Sequence, residues 1–319
     1  MDTGANGADG TASPLRILDA HHHLWDPAAG YPWMRAGASK FMGDTAPVCQ
    51  RYEVEQLREE VQAADPEPIE LLGSVHLQCG RNPQDPVEET AWVQQQAARS
   101  GLPIAIVAYA HLADPQLDAL LARHAVAPGF RGVRQMLNWG EDERYRLCER
   151  GDWLMDAAWQ RGFARLGALG LSFDLQVNPW QLADAARLAE RHPQTAVVVN
   201  HAGLPFDHAG AGGPWWQDGM RRLAALPWVS VKFSGLGMVD PHWSAARVQP
   251  VFDFLLAQFG PERLMFGSNF PIDRLYKRYG QVFAAYQALC AGLAPSQRTA
   301  LFSGNAARVY RLDTGAVPR

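Results

Sequence analysis

The sequence predicts an α/β fold, a single (β/α)8 barrel, on three observations. Eight short apolar runs recur along the chain, helical patterns fill the gaps between them, and polar residues gather where the runs end. The 319 residues would suit two average domains or one barrel. Unbroken alternation without a linker favours one barrel over residues 15–312, with rim insertions and with tails at 1–14 and 313–319.

Taken in order, the strand signals are RILDA (16–20), IELLGSVHL (69–77), PIAIVAYAHL (103–112) and GFRGVRQML (129–137), then LSFDLQV (171–177), TAVVVNH (195–201), WVSVKFS (228–234) and RLMFGSN (263–269). Each is short, apolar and rich in β-branched residues, as expected of a parallel strand covered on both faces. The segment 86–101 opens on Pro and acids and stops at Gly, which marks a capped helix. Residues 115–125, 152–170, 179–193, 220–227 and 247–260 carry apolar residues at helical spacing, and 297–312 reads as closing helices. Segment 26–68 and the Gly-rich 209–213 read as insertions on the barrel rim, and MDTGANGADGTASP as a tail with no secretory signal.

Composition narrows the function. A net charge of −4 with no basic block argues against nucleic-acid and anionic-membrane partners. No run approaches the roughly 18 apolar residues of a membrane span. Cys49, Cys79, Cys148 and Cys290 are scattered without a CxxC, which suggests neither a disulfide framework nor a thiolate metal site and fits a cytoplasmic setting. The expected partner is a small-molecule substrate, with homo-oligomerisation open.

In such barrels the chemistry sits at the C-terminal strand ends. Strand one ends in Asp19-Ala20-His21-His22-His23, where period-two alternation lets His21 and His23 converge while His22 points away and packs. His201 ends strand six and Asn269 strand eight, so three histidines from two strand ends face one region, able to ligate a divalent cation or polarise a carbonyl. His76 on strand two and Arg134 on strand four are candidates for recognising polar groups of the substrate, and Arg131 with Arg134 can form a carboxylate clamp. Lys232, within an apolar strand, is costly to bury alone. Its simplest reading is an ion pair with Asp19 or Asp174; a carbamylated metal bridge and a substrate-carboxylate partner stay open. Trp25 and Trp33 can wall the site or simply pack, and Trp139, Trp180, Trp215 and Trp216 also follow predicted strands. His111, His124, His192, His208 and His242 are expected to be solvated or to belong to a lid.

LDAHHHLWDP resembles the strand-one signature of the amidohydrolase superfamily, in the branch that includes sugar-lactone and pyrone-dicarboxylate lactonases. GVRQMLNW, FDLQVNPWQL, VVVNHAGLP, VKFSGLGM and LMFGSNFPID are similar to its later motifs in order and spacing, so the likeness spans roughly 15–312. It implies a hydrolase in which water attacks a cyclic ester of a small polar or carboxylated substrate. His21, His23 and His201 would hold one divalent cation, zinc first, or act without metal. Members whose last strand reads GSDWP use that aspartate to deprotonate the water. Here the matching residue is Asn269, which has no useful basicity and can only orient a water or donate to an oxyanion. Without metal, a histidine, Asp174 or Asp273 would have to be the base. The rival readings are a non-oxidative decarboxylase of the same superfamily and a non-catalytic binding barrel.

Overall fold

Eight parallel strands pair in simple chain order in the computed structural model, which describes residues 13–35, 38–39, 41–207 and 210–313. They are β1 (Leu15–His22), β2 (Ile69–Leu77), β3 (Ala105–Ala108), β4 (Phe130–Met136), β5 (Ser172–Gln176), β6 (Val197–Val199), β7 (Val229–Phe233) and β8 (Leu264–Phe266). The sheet closes where β8 runs out. His22 bridges Phe270, His23 N–H donates to Phe270 O at 2.7 Å, and Asn269 N–H donates to His21 O at 2.7 Å. Buried Asp19 braces the same seam, its carboxylate accepting from the N–H groups of His21 and Ser268 and from the Tyr279 hydroxyl.

One helix follows each strand: α1 (Val54–Gln62), α2 (Val87–Ser100), α3 (Leu117–His124), α4 (Ala157–Ala168), α5 (Leu182–Arg191), α6 (Gly213–Ala224), α7 (Ala245–Phe259) and α8 (Tyr279–Leu289). The caps explain several boundaries. Helix α2 carries Glu88 and Glu89 in its first turn and ends at Gly101, in the left-handed region at φ +78°, whose N–H returns to Ala97 O. Helix α4 starts later than residue 152 because Asp156 is its N-cap, accepting from Trp159 N–H.

Three expectations need correction. Segment 26–68 is not wholly an insertion, since α1 buries Val54, Leu57 and Val61 on one face and serves as the first barrel helix. Helix α6 begins at Gly213, earlier than residue 220 and inside the segment read as an insertion. Helix α8 was not among the expected elements. It buries Tyr279, Gly280, Val282, Phe283, Tyr286 and Leu289, so little amphipathic contrast marks it. Residue 209 of the Gly-rich loop, His208 and most of both expected tails lie outside the described residues.

The interior divides into two shells. One lies between strands and helices, as where Trp159, Phe163 and Phe173 stack together. The other fills the barrel with Leu18, Ala20, Val75, Val107, Val198 and Met265. Ala306, Ala307 and Tyr310, around the closing helix α9 (Asn305–Val309), join this inner shell. Asn305 Nδ2 donates to Leu264 O at the start of β8, so α9 seals the N-terminal end of the barrel and leaves the opposite end for the site.

Candidate active site

Strand β1 delivers the first two histidines. His21 lies at the hub, its ring centroid 5.1 Å from that of His23 and 4.5 Å from that of His201. All three are buried. His23 Nδ1 donates to Leu77 O at 2.8 Å, which leaves Nε2 with a free lone pair. His201 Nδ1 meets Ser234 Oγ at 3.1 Å, so its Nε2 is likewise uncommitted. Close approach is needed here: a Cβ on Gly235, at φ +64°, would stand 2.4 Å from His201 Nδ1. Among the described residues neither ring nitrogen of His21 has a hydrogen-bond partner.

Burial holds all three imidazoles well below their usual pKa. The neighbouring charges of Arg134 and Lys232 depress His21 and His201 further, and Arg134 does the same to His23. They are therefore neutral at pH 7, the form that ligates metals or accepts protons. Their donor atoms are not drawn together into a finished cage. Among the described residues, the His, Cys and carboxylate atoms that all lie within 4.8 Å of one another belong to His76, Cys79 and Glu89. That trio is already consumed by the protein. His76 Nδ1 accepts from Leu24 N–H and Nε2 meets Glu89 Oε1, while the Glu89 oxygens also accept from the backbone of Cys79 and Arg81.

Beneath the histidines lies an ionic floor. Lys232 Nζ is 2.7 Å from Asp174 Oδ1, both side chains fully buried, which makes Asp174 rather than Asp19 the partner. The same carboxylate accepts from Asn200 Nδ2 at 2.9 Å and from Tyr310 Oη at 2.9 and 3.0 Å. Burial pulls Lys232 down to about 8 although Asp174 pulls it back up. Arg134 has no such counterion. It bonds to the neutral acceptors Gln176 Oε1 and Gln78 O, and its Nε–H has no partner.

Other candidates are placed away from the cluster. His76 is opposite His22 in the β1–β2 register and shares its outward orientation. Arg131, three residues before Arg134 on β4, falls on the other face and ties to the carbonyls of Pro128 and Phe130, so no double-arginine clamp forms. Trp25 is buried, donates to Val48 O and Gln50 O, and stacks on His23 at 6.1 Å as a prop. Trp33, half-buried, packs edge-on against Trp25 and donates to Cys79 O. His124, expected to be solvated, is buried between Thr90 Oγ1 and Tyr109 O. Trp216 packs with its indole bonded to Ala202 O, while Trp215 is 71% exposed.

Sequence reading placed Trp180 after a predicted strand but missed the other three rings of an aromatic rim. Phe41, Tyr145, Trp180 and Phe206 come from four separate loops and meet with ring centroids 5.1–6.2 Å apart. Phe41 and Tyr145 line a narrow cleft of about 10 Å³ that reaches Gln176, the Arg134 partner. The broader depression between α2 and α3, lined by Val87, Thr90 and Val126, is on the outside of the barrel, away from the histidines. Asp273, named from the sequence only as a possible base without metal, also joins the cluster. Buried one turn beyond Asn269, it accepts from Asn269 Nδ2 at 2.8 Å.

A parallel barrel with histidines at the ends of β1 and β6 defines the class, and comparison with known proteins gives the family. Residues 18–312 match the amidohydrolase family, and the chain belongs to it. An uncharacterized protein, y4mH, of Sinorhizobium fredii is 35% identical across 94% of this chain and 100% of its own. An L-fucono-1,5-lactonase of Burkholderia multivorans is 32% identical across 96% of this chain and 99% of its own. The crystal structure of an amidohydrolase from Burkholderia multivorans with bound Zn superposes with a TM-score of 0.76 at 29% identity, covering 93% of this chain and 99% of that one.

Proposed function

We propose that this chain hydrolyses the cyclic ester of a small polar lactone, using a divalent cation held by His21, His23 and His201. The observation that carries the reading is the cluster itself: three buried, neutral imidazoles, two of them beside the hub His21, whose nitrogens meet no hydrogen-bond partner among the described residues. The donor chemistry fits such an ion, because neutral imidazole nitrogens suit zinc and His23 and His201 each have their other nitrogen oriented by the protein. Bound there, zinc would supply Lewis acidity toward the lactone carbonyl and acidity to the water.

The chain's own residues do the rest. Asn269 offers a hydrogen-bonding amide at the β8 end of the cluster. It orients the water but cannot take its proton, which ends on the ring oxygen as the ester C–O bond breaks, giving the hydroxy acid. Arg134 presents a buried guanidinium whose Nε–H meets no partner among the described residues, suited to a carbonyl, hydroxyl or carboxylate oxygen of the substrate. The aromatic rim takes the role first considered for Trp25 and Trp33 and covers the apolar face of a sugar-sized ring. The similarity to L-fucono-1,5-lactonases supports a sugar lactone as the starting substrate.

The test is acid release from L-fucono-1,5-lactone and other sugar lactones in a pH-stat, with zinc-loaded and chelator-treated protein. Metal content by elemental analysis accompanies it. Turnover that disappears in folded His201→Ala supports the reading. Metal-loaded, folded protein that releases no acid above the uncatalysed rate from any of these lactones rejects it.

A further inference from the structure

The remaining question of the site is how an amide at position 269 works where a carboxylate would be expected, and its neighbour supplies an answer that rests on the lactonase reading. Asn269 sits in the left-handed region at φ +58°, with its N–H tied to His21 O at 2.7 Å, so its backbone is fixed against β1. That hydrogen bond and the His22–Phe270 bridge set Asn269 beside His21 at the β8 end of the cluster. One freedom is left. An amide can turn either its oxygen or its NH2 toward a neighbour, and the two arrangements are alike in shape and opposite in polarity.

The turn Ile272–Leu275 removes that freedom. Asp273 donates its own N–H to Asn269 O at 3.1 Å, and its Oδ1 accepts from Asn269 Nδ2 at 2.8 Å. The ionised Oδ1 can only accept, so against the carboxylate the NH2 group faces Asp273 and the amide oxygen faces away. Asp273 is fully buried, its carboxyl is held by the Asn269 amide and the Gly237 backbone, and among the described residues Oδ2 makes no further hydrogen bond. Burial raises this carboxyl to about 7 against the opposing pull of its hydrogen bonds.

We propose that Asp273 is a positioning residue: it holds Asn269 with the amide nitrogen toward itself and the amide oxygen toward the histidine cluster, where that oxygen accepts a hydrogen from the attacking water. The opposite rotamer would aim two N–H donors at the hydrogens of that water. Isosteric Asp273→Asn keeps the shape and removes the polarity bias, because an amide can pair with either end of Asn269.

The test compares wild type, Asp273→Asn and the exchange Asn269→Asp/Asp273→Asn on a lactone that the wild type opens, with thermal melts to confirm folding. Asp273→Asn should lose about 10- to 100-fold in kcat with KM nearly unchanged. The exchange puts a carboxylate at 269 and a donor at 273, so it should recover at least about tenfold over the single variant. Wild-type kcat in Asp273→Asn, or an exchange no faster than the single variant, overturns the proposal. If Asp273→Asn does not fold, the exchange decides alone: turnover within about tenfold of wild type supports it and none overturns it. A second readout is independent of the lactone reading. The Asn269 side-chain NH2 resonances, identified by their loss in Asn269→Asp, should shift in Asp273→Asn, which removes the carboxylate they donate to. Resonances unmoved by Asp273→Asn reject the proposal even if no lactone is turned over.

Discussion

Replacing Lys232 by Met removes the cation from a buried pair and leaves its carboxylate in place. Lys232 and Asp174 are both fully buried at 2.7 Å, and Asp174 keeps two other donors, Asn200 Nδ2 and Tyr310 Oη, after the change. Breaking a buried pair on one side costs about 3–5 kcal/mol, because an unpaired charge stays behind. The two surviving hydrogen bonds to a charged group place Lys232→Met at the lower end, at about 3 kcal/mol. Asp174→Asn removes the stranded charge, so the double variant should be less destabilised than the two single losses added together. The assay is urea unfolding of wild type, both singles and the double at pH 7, read as a double-mutant cycle with a coupling of at least ~1.5 kcal/mol. A Lys232→Met loss below ~1 kcal/mol, or additive singles, would refute the view that the pair is a closed structural unit. The Met side chain conserves much of the lysine stem, so packing alone should contribute little to the measured loss.

Two further outcomes follow from the geometry. Five histidines, His21, His22, His23, His124 and His201, are held neutral by burial, with His22 near 3 and His124 near 4. A folded pKa below the unfolded value means that stability falls as pH drops below ~6.5, by up to ~1.4 kcal/mol per unit for each group, while Asp273, raised to about 7, and Asp19, raised by burial, work in the opposite sense. Metal-free protein should therefore lose on the order of 4 kcal/mol between pH 6 and pH 5 in urea melts, and a loss under ~1.5 would contradict the assigned burial. Phe41→Ala removes one ring of the rim without touching the histidines, so KM for the lactone should rise several-fold with kcat and the melting temperature little changed; an unchanged KM would take the rim out of substrate binding.

What could be read from the sequence followed from short-range rules. That His21 and His23 share a face needed only period-two alternation, though a register shift between Asp19 and His22 turns that face inward; the strand series needed only runs of apolar residues between helix caps. His76 was misplaced because its facing depends on register: it is paired with His22, on the outer face of the β1–β2 ladder, and no local pattern states that. His124 satisfied its two nitrogens on a helix whose neighbours could not be foreseen. The aromatic rim is invisible for the same reason, since Phe41, Tyr145, Trp180 and Phe206 meet only after four loops are in place. Asn269 was recognised as a departure, but its hydrogen bond to Asp273 needed the turn that brings residues four apart face to face.

The helix that seals the barrel has a temporal meaning as well as a spatial one. Tyr310 rises from the far end of the chain to complete the hydrogen bonding of Asp174, whose partner Lys232 adds its field to His21 and His201. During synthesis, strands β1 to β8 emerge well before that hydroxyl exists, and until it arrives the carboxylate lacks one of its buried donors. Assembly of the catalytic end of this barrel is thus coupled to the last turn of its opposite end, so a nascent chain halted before Tyr310 carries the histidines without their finished foundation.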